Sequence, residues 1–335
     1  MKDYNNSTID HPLACNTVCR LKGARLRYNP SALSCPSGLS EQIMPERPAR
    51  TTQSIRRYYE QNTRLFFSLG SSPRVYSIHR ALWMEGVETQ DEALNTSNRL
   101  LLAEAESMVA SRCLRLVDLG CGIGGTLFYL LERIQSPAIG VGLTISPLQA
   151  QLARQRSRQL ALDGACLFVE ADFLSPPLGG GVDMVYSLEA FVHAAAPERY
   201  FEQVACLLRL AGKLVLVDDF LAEEPVFAQN SLSQEPARRR WLEAYRQGWY
   251  VPNLCTTAQA IRLAQACGLH LAREIDLTPH LRLRPLPDGL ASALLSLGER
   301  LPVRHAILPS MLGSMALQQC LKMGWIGYRL LCFEK

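Results

Sequence analysis

No run of about 18 uninterrupted apolar residues occurs in this 335-residue chain, so the sequence offers no candidate membrane-spanning helix. The opening stretch MKDYNNSTIDHPLACNTVC is polar where a secretory signal carries an apolar core, which sets the expectation of a cytoplasmic, unexported protein. Charge of either sign is hardly in excess. Thirty-five basic against 31 acidic residues give a net +4, too mild to indicate nucleic acid as a partner. No internal repeat or low-complexity tract is present. The 11 cysteines lack paired zinc-type spacing and are scattered as reduced thiols usually are. Cys15, Cys19 and Cys35 lie near one another, but no histidine or second close pair completes a site, and no resident metal is expected.

What the chain does have is a globular balance, 48% hydrophobic and 20% charged residues, over a length beyond the ~250–300 residues of most single cores. A core domain with additions is therefore expected. Residues 1–50 carry Asn, Ser, Pro and Arg without periodicity and read as a flexible arm. Residues 51–112 read as a helical cap: IRRYYEQNTRLFFSLG and TQDEALNTSNRLLLAEAESMVA repeat apolar residues every three or four positions. From 113 to 335, short apolar runs alternate with helical patterns. LRLVDLG, AIGVGLT, ACLFVEADF, VDMVYSLE and KLVLVDDFL read as strands, with helices at GGTLFYLLERI, SPLQAQLARQRSRQLALDG and PERYFEQVACLLRLAG. Near-continuous apolar strands separated by helices imply an α/β, doubly wound parallel sheet covered on both faces. Residues 222–252, including PARRRWLEAYRQGW, interrupt the alternation as a helical insertion after the fifth strand, whose arginines face solvent or an anionic substrate group. A helix at TTAQAIRLAQACG and a strand at LHLAREIDLT follow, and WIGYRLLCFEK is expected to close the sheet edge.

The chemistry starts at VDLGCGIGG. Glycines 120, 122, 124 and 125 follow a strand and open a helix, where positive φ and close backbone approach suit a bound ligand. A dinucleotide would place its pyrophosphate on that helix N-terminus. Asp118, directly before the first glycine, would repel a pyrophosphate and attract a cation.

At these residues, with the acid of EADF after the third strand, the chain resembles the class I S-adenosylmethionine-dependent methyltransferases. The resemblance implies a Rossmann-like methyltransferase sheet with S-adenosyl-L-methionine bound by Asp118, Gly120, Cys121, Gly122 and Gly124, and with Asp172 and Phe173 at the adenine. The bland readings are a turn-forming Asp118 and a capping Asp172. Many members end the second strand in an acid for the ribose; here GVGLTISPLQ carries none. That variant is similar to the subgroup of tocopherol, sterol and geranyl diphosphate methyltransferases and cyclopropane fatty acid synthases, which implies Thr144 and Gln149 near the cofactor. Their bland reading is a helix start, with Ser146 as N-cap and Pro147 at the first helical position.

The exit of the fourth strand reads VYSLEAFVHAAAPERYF. If it turns helically, Glu189 and His193 share one face. The stretch is similar to the S-x-E-x-x-x-H pattern of the same subgroup, whose isoprenoid members use this glutamate in the active site. Methylation of an alkene leaves a carbocation that must lose a proton to a placed base, which makes Glu189 the candidate base and His193 its candidate partner. Aromatic faces stabilise such a cation by roughly 0.5–2 kcal/mol each. Tyr58, Tyr59, Phe66 and Phe67 in the cap, and Trp241, Tyr245, Trp249 and Tyr250 in the insertion, are the candidates, with Tyr58 assigned to catalysis and Tyr59, Trp241 and Tyr245 to substrate. His79 and Arg80 of SIHRALW are candidate ligands of a diphosphate, directly or beside Mg²⁺, or else a surface pair.

The expected function is C-methylation of a prenyl diphosphate or related terpenoid. N- or O-methylation of a small-molecule natural product is the alternative, and a binding module of the same fold without chemistry is a third. The partner expected is a small isoprenoid, and the residues do not decide between a monomer and a homo-oligomer.

Overall fold

A computed structural model of the chain describes residues 79–108, 112–223, 231–284, 286–300 and 307–335, together with Ile55, Arg56, Glu60, Thr63, Val75 and Tyr76. The arm 1–50, the Cys15–Cys19–Cys35 group and the aromatics Tyr58, Tyr59, Phe66 and Phe67 lie outside the described residues.

Helix α1 (Gln90–Glu106) starts at Thr89, whose hydroxyl accepts from Glu92 N at 3.2 Å while the Glu92 carboxylate accepts from Thr89 N at 2.8 Å. This reciprocal cap satisfies two backbone donors that a helix start leaves free. The α/β core follows: β1 (Leu114–Leu119), α2 (Gly125–Arg133), β2 (Ala138–Thr144), α3 (Pro147–Gln159), β3 (Cys166–Glu170), β4 (Val182–Leu188), α4 (Pro197–Leu207) and β5 (Leu208–Leu221). Then come α5 (Ser231–Trp249), α6 (Thr257–Ala266), β6 (His270–Asp276), α7 (Asp288–Arg300), α8 (Ile307–Lys322) and β7 (Ile326–Glu334).

The strands form one sheet in the order β3-β2-β1-β4-β5-β7-β6. β1 pairs in parallel with both β2 and β4, so the winding reverses between β1 and β4. In open α/β sheets that crevice, outside the carboxyl ends of the strands, is where ligands bind. Two apolar clusters cover the two faces. One contains Leu116, Leu127, Phe168 and Tyr186; the other contains Val117, Val185, Phe201 and Leu216.

The sheet is mixed, not wholly parallel, and the last strand does not close its edge. β7 runs antiparallel between β5 and β6. Tyr328, Leu330, Leu331, Cys332 and Phe333 are all buried, side chains on both faces of one strand, and only an interior strand can cover both. β6, mostly exposed, is the edge.

The helical layer over the carboxyl ends is larger than the expected 222–252 insertion. α5 packs with α7 and α8 around a third cluster that includes Trp241, Tyr245, Ala291, Leu295 and Leu317. α5 and α8 touch backbone to backbone at a glycine pair. A Cβ on Gly248 would lie 2.4 Å from the Pro309 carbonyl oxygen and 2.5 Å from Gly313 Cα.

Candidate active site

A cavity of about 300 Å³ opens at the carboxyl ends of β1, β4 and β5. Its floor is the β1–α2 turn. Gly120 N and Cys121 N donate to the Leu143 carbonyl at 3.0 and 2.8 Å, which ties the turn to β2. Gly120 has φ +96°, and a Cβ there would come within 2.3 Å of the Ala190 Cβ. Gly122 has φ +52° and open space where a side chain would be, so bare backbone faces the cavity. Gly124 sits behind as the N-cap of α2 and does not line the cavity; a Cβ there would run into the Phe168 ring at 2.6 Å.

Asp118 lines the floor at 3% exposure. Burial pushes its carboxyl up to about 8, and the neighbouring Tyr186 phenol lowers it only in part. A carboxylate in that position is stabilised by a cation placed in the cavity.

At the end of β2, Thr144 and Gln149 line the cavity and are bonded to each other, with the Thr144 hydroxyl donating to Gln149 Oε1 at 2.7 Å. Ser146 caps α3 by accepting from Gln149 N, and Gln149 Nε2 donates to the hydroxyl of buried Thr63 at 3.2 Å. The helix-start chemistry and the cavity position therefore coexist in the same residues. After β3, Phe173 lines the cavity, but Asp172 does not. Its Oδ1 accepts from Leu174 N at 2.9 Å in the manner of a turn-forming Asp.

The exit of β4 is not an α-helix. Glu189 has φ +53°, Phe191–His193 form a single 3-10 turn, and the one-face relation expected for Glu189 and His193 does not arise. Both still line the cavity, with different partners. His193 Nδ1 meets the Tyr250 carbonyl at 3.0 Å. Glu189 Oε1 accepts from Arg80 N at 2.9 Å, Arg80 Nε at 3.2 Å and the Tyr328 hydroxyl at 2.8 Å. Burial works to raise the Glu189 carboxyl, but Arg80, His79 and these hydrogen bonds outweigh it and hold it below the usual carboxylate range.

Arg80 is held from a second side. Nη1 donates to Asp219 Oδ1 at 2.8 Å, Tyr245 OH donates to Asp219 Oδ2 at 2.7 Å, and the guanidinium lies 3.9 Å over the Tyr328 ring. Its charge is thus shared between two carboxylates, which does not leave it as an unengaged diphosphate ligand. Beside it, His79 is buried; burial lowers its pKa against the pull of Glu189, the Arg80 backbone and the Asn98 side chain. Burial likewise lowers His193, against the Tyr250 carbonyl.

Asp218 and Asp219 also line the cavity, and burial together with Asp219 pushes Asp218 up to about 8. Sequence reasoning missed both, although two acids ending the apolar run KLVLV were the visible signal. Tyr245 lines the cavity, whereas Trp241 does not; its ring is buried in the lid cluster with Ala291 and Leu295. Tyr58 and Tyr59 lie outside the described residues. Among the described residues, no group of three or more His, Cys, Asp or Glu side chains is arranged to hold a metal ion, and no helix is long and apolar enough to cross a membrane.

Residues 117–216 match a family model described as "Methyltransferase domain". Over 161 residues the chain is 28% identical to tocopherol O-methyltransferase, chloroplastic, of Arabidopsis thaliana, covering 46% of this chain and 43% of that protein. Over 232 residues it is 25% identical to cycloartenol-C-24-methyltransferase 1 of Oryza sativa subsp. japonica, covering 69% and 63%. The matches thus span roughly half the length of these curated relatives. Its fold is similar to that of geranyl diphosphate C-methyltransferase from Streptomyces coelicolor A3(2), solved with Mg²⁺, geranyl diphosphate and S-adenosyl-L-homocysteine. That likeness has a TM-score of 0.61 at 17% identity and covers 87% of this chain and 99% of the other. In sheet order, glycine turn and matched domain, the chain carries a methyltransferase domain in a Rossmann-like fold and resembles the class I S-adenosylmethionine-dependent methyltransferases.

Proposed function

We propose that the protein is an S-adenosylmethionine-dependent C-methyltransferase acting on an alkene carbon of a prenyl diphosphate or related terpenoid. The observation that carries this reading is an ionised carboxylate, Glu189, lining the same cavity as the glycine turn and Asp118. The cofactor fits the residues present. Asp118 is a buried acid whose ionised form a cation in the cavity would stabilise, Gly122 exposes backbone to open space, and Thr144 and Gln149 offer hydroxyl and amide where many relatives place an acid. Bound there, S-adenosylmethionine supplies an electrophilic methyl group.

The protein's own part is positioning, electrostatics and a base. The Asp118 floor and the glycine turn would hold the cofactor so that its methyl group passes to an alkene carbon, and the substrate would be left as a cation beside Glu189. The Glu189 carboxylate, held ionised beside Arg80 and lining the cavity, favours that cation. Glu189 then takes the adjacent proton, and the C–H electron pair closes a new double bond. A carbocation's neighbouring proton is so acidic that a carboxylate below its usual pKa suffices. Such a base is poorly suited to deprotonating an alkylammonium product. Tyr245 and Trp249 line the lid side, and closure over them keeps water from the cation. A diphosphate acceptor would bring Mg²⁺ with it, and the reading assigns no described side chain as a resident ligand of that ion.

O- or N-methylation is the second reading. The uncharged imidazoles of His79 and His193, both lining the cavity, favour it because either suits a hydroxyl acceptor as base. Incubation with S-adenosylmethionine and geranyl, farnesyl or isopentenyl diphosphate, followed by mass spectrometry and NMR, separates the readings. Methyl on carbon supports the first. Turnover only with hydroxyl or amine acceptors supports the second.

A further inference from the structure

Glu189 holds its three hydrogen bonds on one oxygen. Arg80 N, Arg80 Nε and the Tyr328 hydroxyl all converge on Oε1, at 2.9, 3.2 and 2.8 Å, and Oε2 takes part in none of them. The carboxylate is therefore fixed in rotation by donors on one side and presents its other oxygen as the available acceptor in a cavity-lining residue. These donors come from far apart in the chain: Arg80 precedes α1, while Tyr328 lies on β7, 139 residues beyond Glu189.

Arg80 in turn is fixed by contacts that serve no other purpose at Glu189. Asp219 Oδ1 accepts from Nη1, Tyr245 from the lid helix α5 donates to Asp219 Oδ2, and the guanidinium stacks over Tyr328. The chain thus builds two layers behind one carboxylate, a device that suits a group whose atom position matters to about an ångström. A surface ion pair needs none of this.

We propose that Arg80 is a positioning residue for alkene methylation: with Tyr328 it occupies Oε1 of Glu189, so that Oε2 receives the proton lost from the cationic substrate. This rests on the reading of Glu189 as the base. In the step, the substrate C–H bond breaks, its electron pair forms the new C=C bond, and the proton bonds to Oε2. The proton leaves to solvent after product release. Arg80 touches neither substrate nor cofactor in this account. It acts through Glu189 by orientation and by keeping the carboxyl ionised.

The pH behaviour follows from the groups that face the pair. His79 and Arg80 face Glu189 from the segment before α1, Tyr328 faces it from β7, and Asp218 and Asp219 of β5 face Arg80. Burial alone raises Glu189, and the Arg80 charge is the largest influence opposing it. Without that charge the acidic limb of kcat should move upward by about 1–3 pH units.

The test uses the full chain and the substitutions Arg80→Met, Arg80→Lys and Tyr328→Phe. For Arg80→Met we expect kcat at neutral pH to fall by about tenfold or more, the acidic limb to move up, and S-adenosylhomocysteine affinity by calorimetry to stay within about threefold. Arg80→Lys should return the limb toward the wild-type position while recovering only part of kcat, because a lysine restores charge but not the forked geometry. Tyr328→Phe should lower kcat with a smaller change in the limb. A second readout needs no acceptor: the carboxyl band of Glu189, isolated by infrared difference against Glu189→Gln, should titrate at higher pH in Arg80→Met. A limb and a band both unmoved in Arg80→Met would overturn the assignment even if wild-type protein methylates carbon. If the wild type methylates no carbon acceptor, the base reading fails, and the infrared titration still reports separately whether Arg80 governs the carboxyl. Should Arg80→Met not fold, Arg80→Gln, which also removes the charge but keeps a polar side chain, is read by the same two measurements, and a limb and a band both unmoved in it would overturn the assignment.

Discussion

Cofactor binding should release a proton, and the reason is Asp118. Its carboxyl is 3% exposed and pushed by burial to about 8, so about nine in ten molecules carry a proton there at pH 7 without a cofactor. A sulfonium–ammonium ligand beside it favours the ionised form and draws the pKa back toward about 4, so binding at pH 7 releases close to one proton. Below pH 8 each unit of acidity then weakens binding by about tenfold, which makes affinity at pH 8 on the order of 10–50 times that at pH 6. Titration calorimetry with S-adenosylmethionine in buffers of different ionisation enthalpy measures the released proton directly. Asp118→Asn, which is isosteric and cannot ionise, separates this from titration of the ligand's own amine: the variant should lose about one proton of linkage. Equal proton release in the two proteins would refute the reasoning. The same shift has a stability consequence. Because the folded pKa lies above the unfolded one, the stabilisation is complete below about pH 4 and is lost as pH rises through 8, so the ligand-free protein should melt lower at pH 8 than at pH 6. Asp218, also pushed to about 8, adds to that trend.

Other outcomes follow from particular contacts. Gly120→Ala must place a methyl group 2.3 Å from Ala190 Cβ at φ +96°, and should cost about 1–3 kcal/mol in urea unfolding and weaken S-adenosylhomocysteine binding. Gly248→Ala forces apart the α5–α8 crossing at 2.4–2.5 Å and should destabilise by a similar ~1–3 kcal/mol, with turnover more affected than cofactor affinity because the contact belongs to the lid. Tyr245→Phe removes the donor to Asp219 and should lower kcat severalfold; unchanged kinetics would show that the lid does not support Arg80.

How much of this was visible in the sequence depends on whether a feature is local. The turn VDLGCGIGG, the β1–α2 unit and the order of alternating elements could be read because strand, glycines and helix are adjacent in the chain. Glu189 could be read from its place at a strand exit. The network around it could not, since Arg80, Glu189, Asp219 and Tyr328 come from four separate segments and only the fold brings them together. Asp172 matched a position in the family pattern, yet its carboxylate serves its own turn. Helix α8 escaped because ILPSMLGSMALQQCLK carries apolar residues on all sides and gives no clear 3.6-residue stripe. The strand IGYRLLCFE was given an edge place although its continuous apolar run is what an interior strand needs.

The most direct test of the account is the position of the transferred methyl group. Reaction with S-adenosylmethionine carrying a CD₃ group should give a terpenoid in which CD₃ has replaced one hydrogen on carbon, with a C=C bond retained and the product absent when Glu189 is changed to Gln. CD₃ found on oxygen or nitrogen, or undiminished turnover by Glu189→Gln, would contradict it.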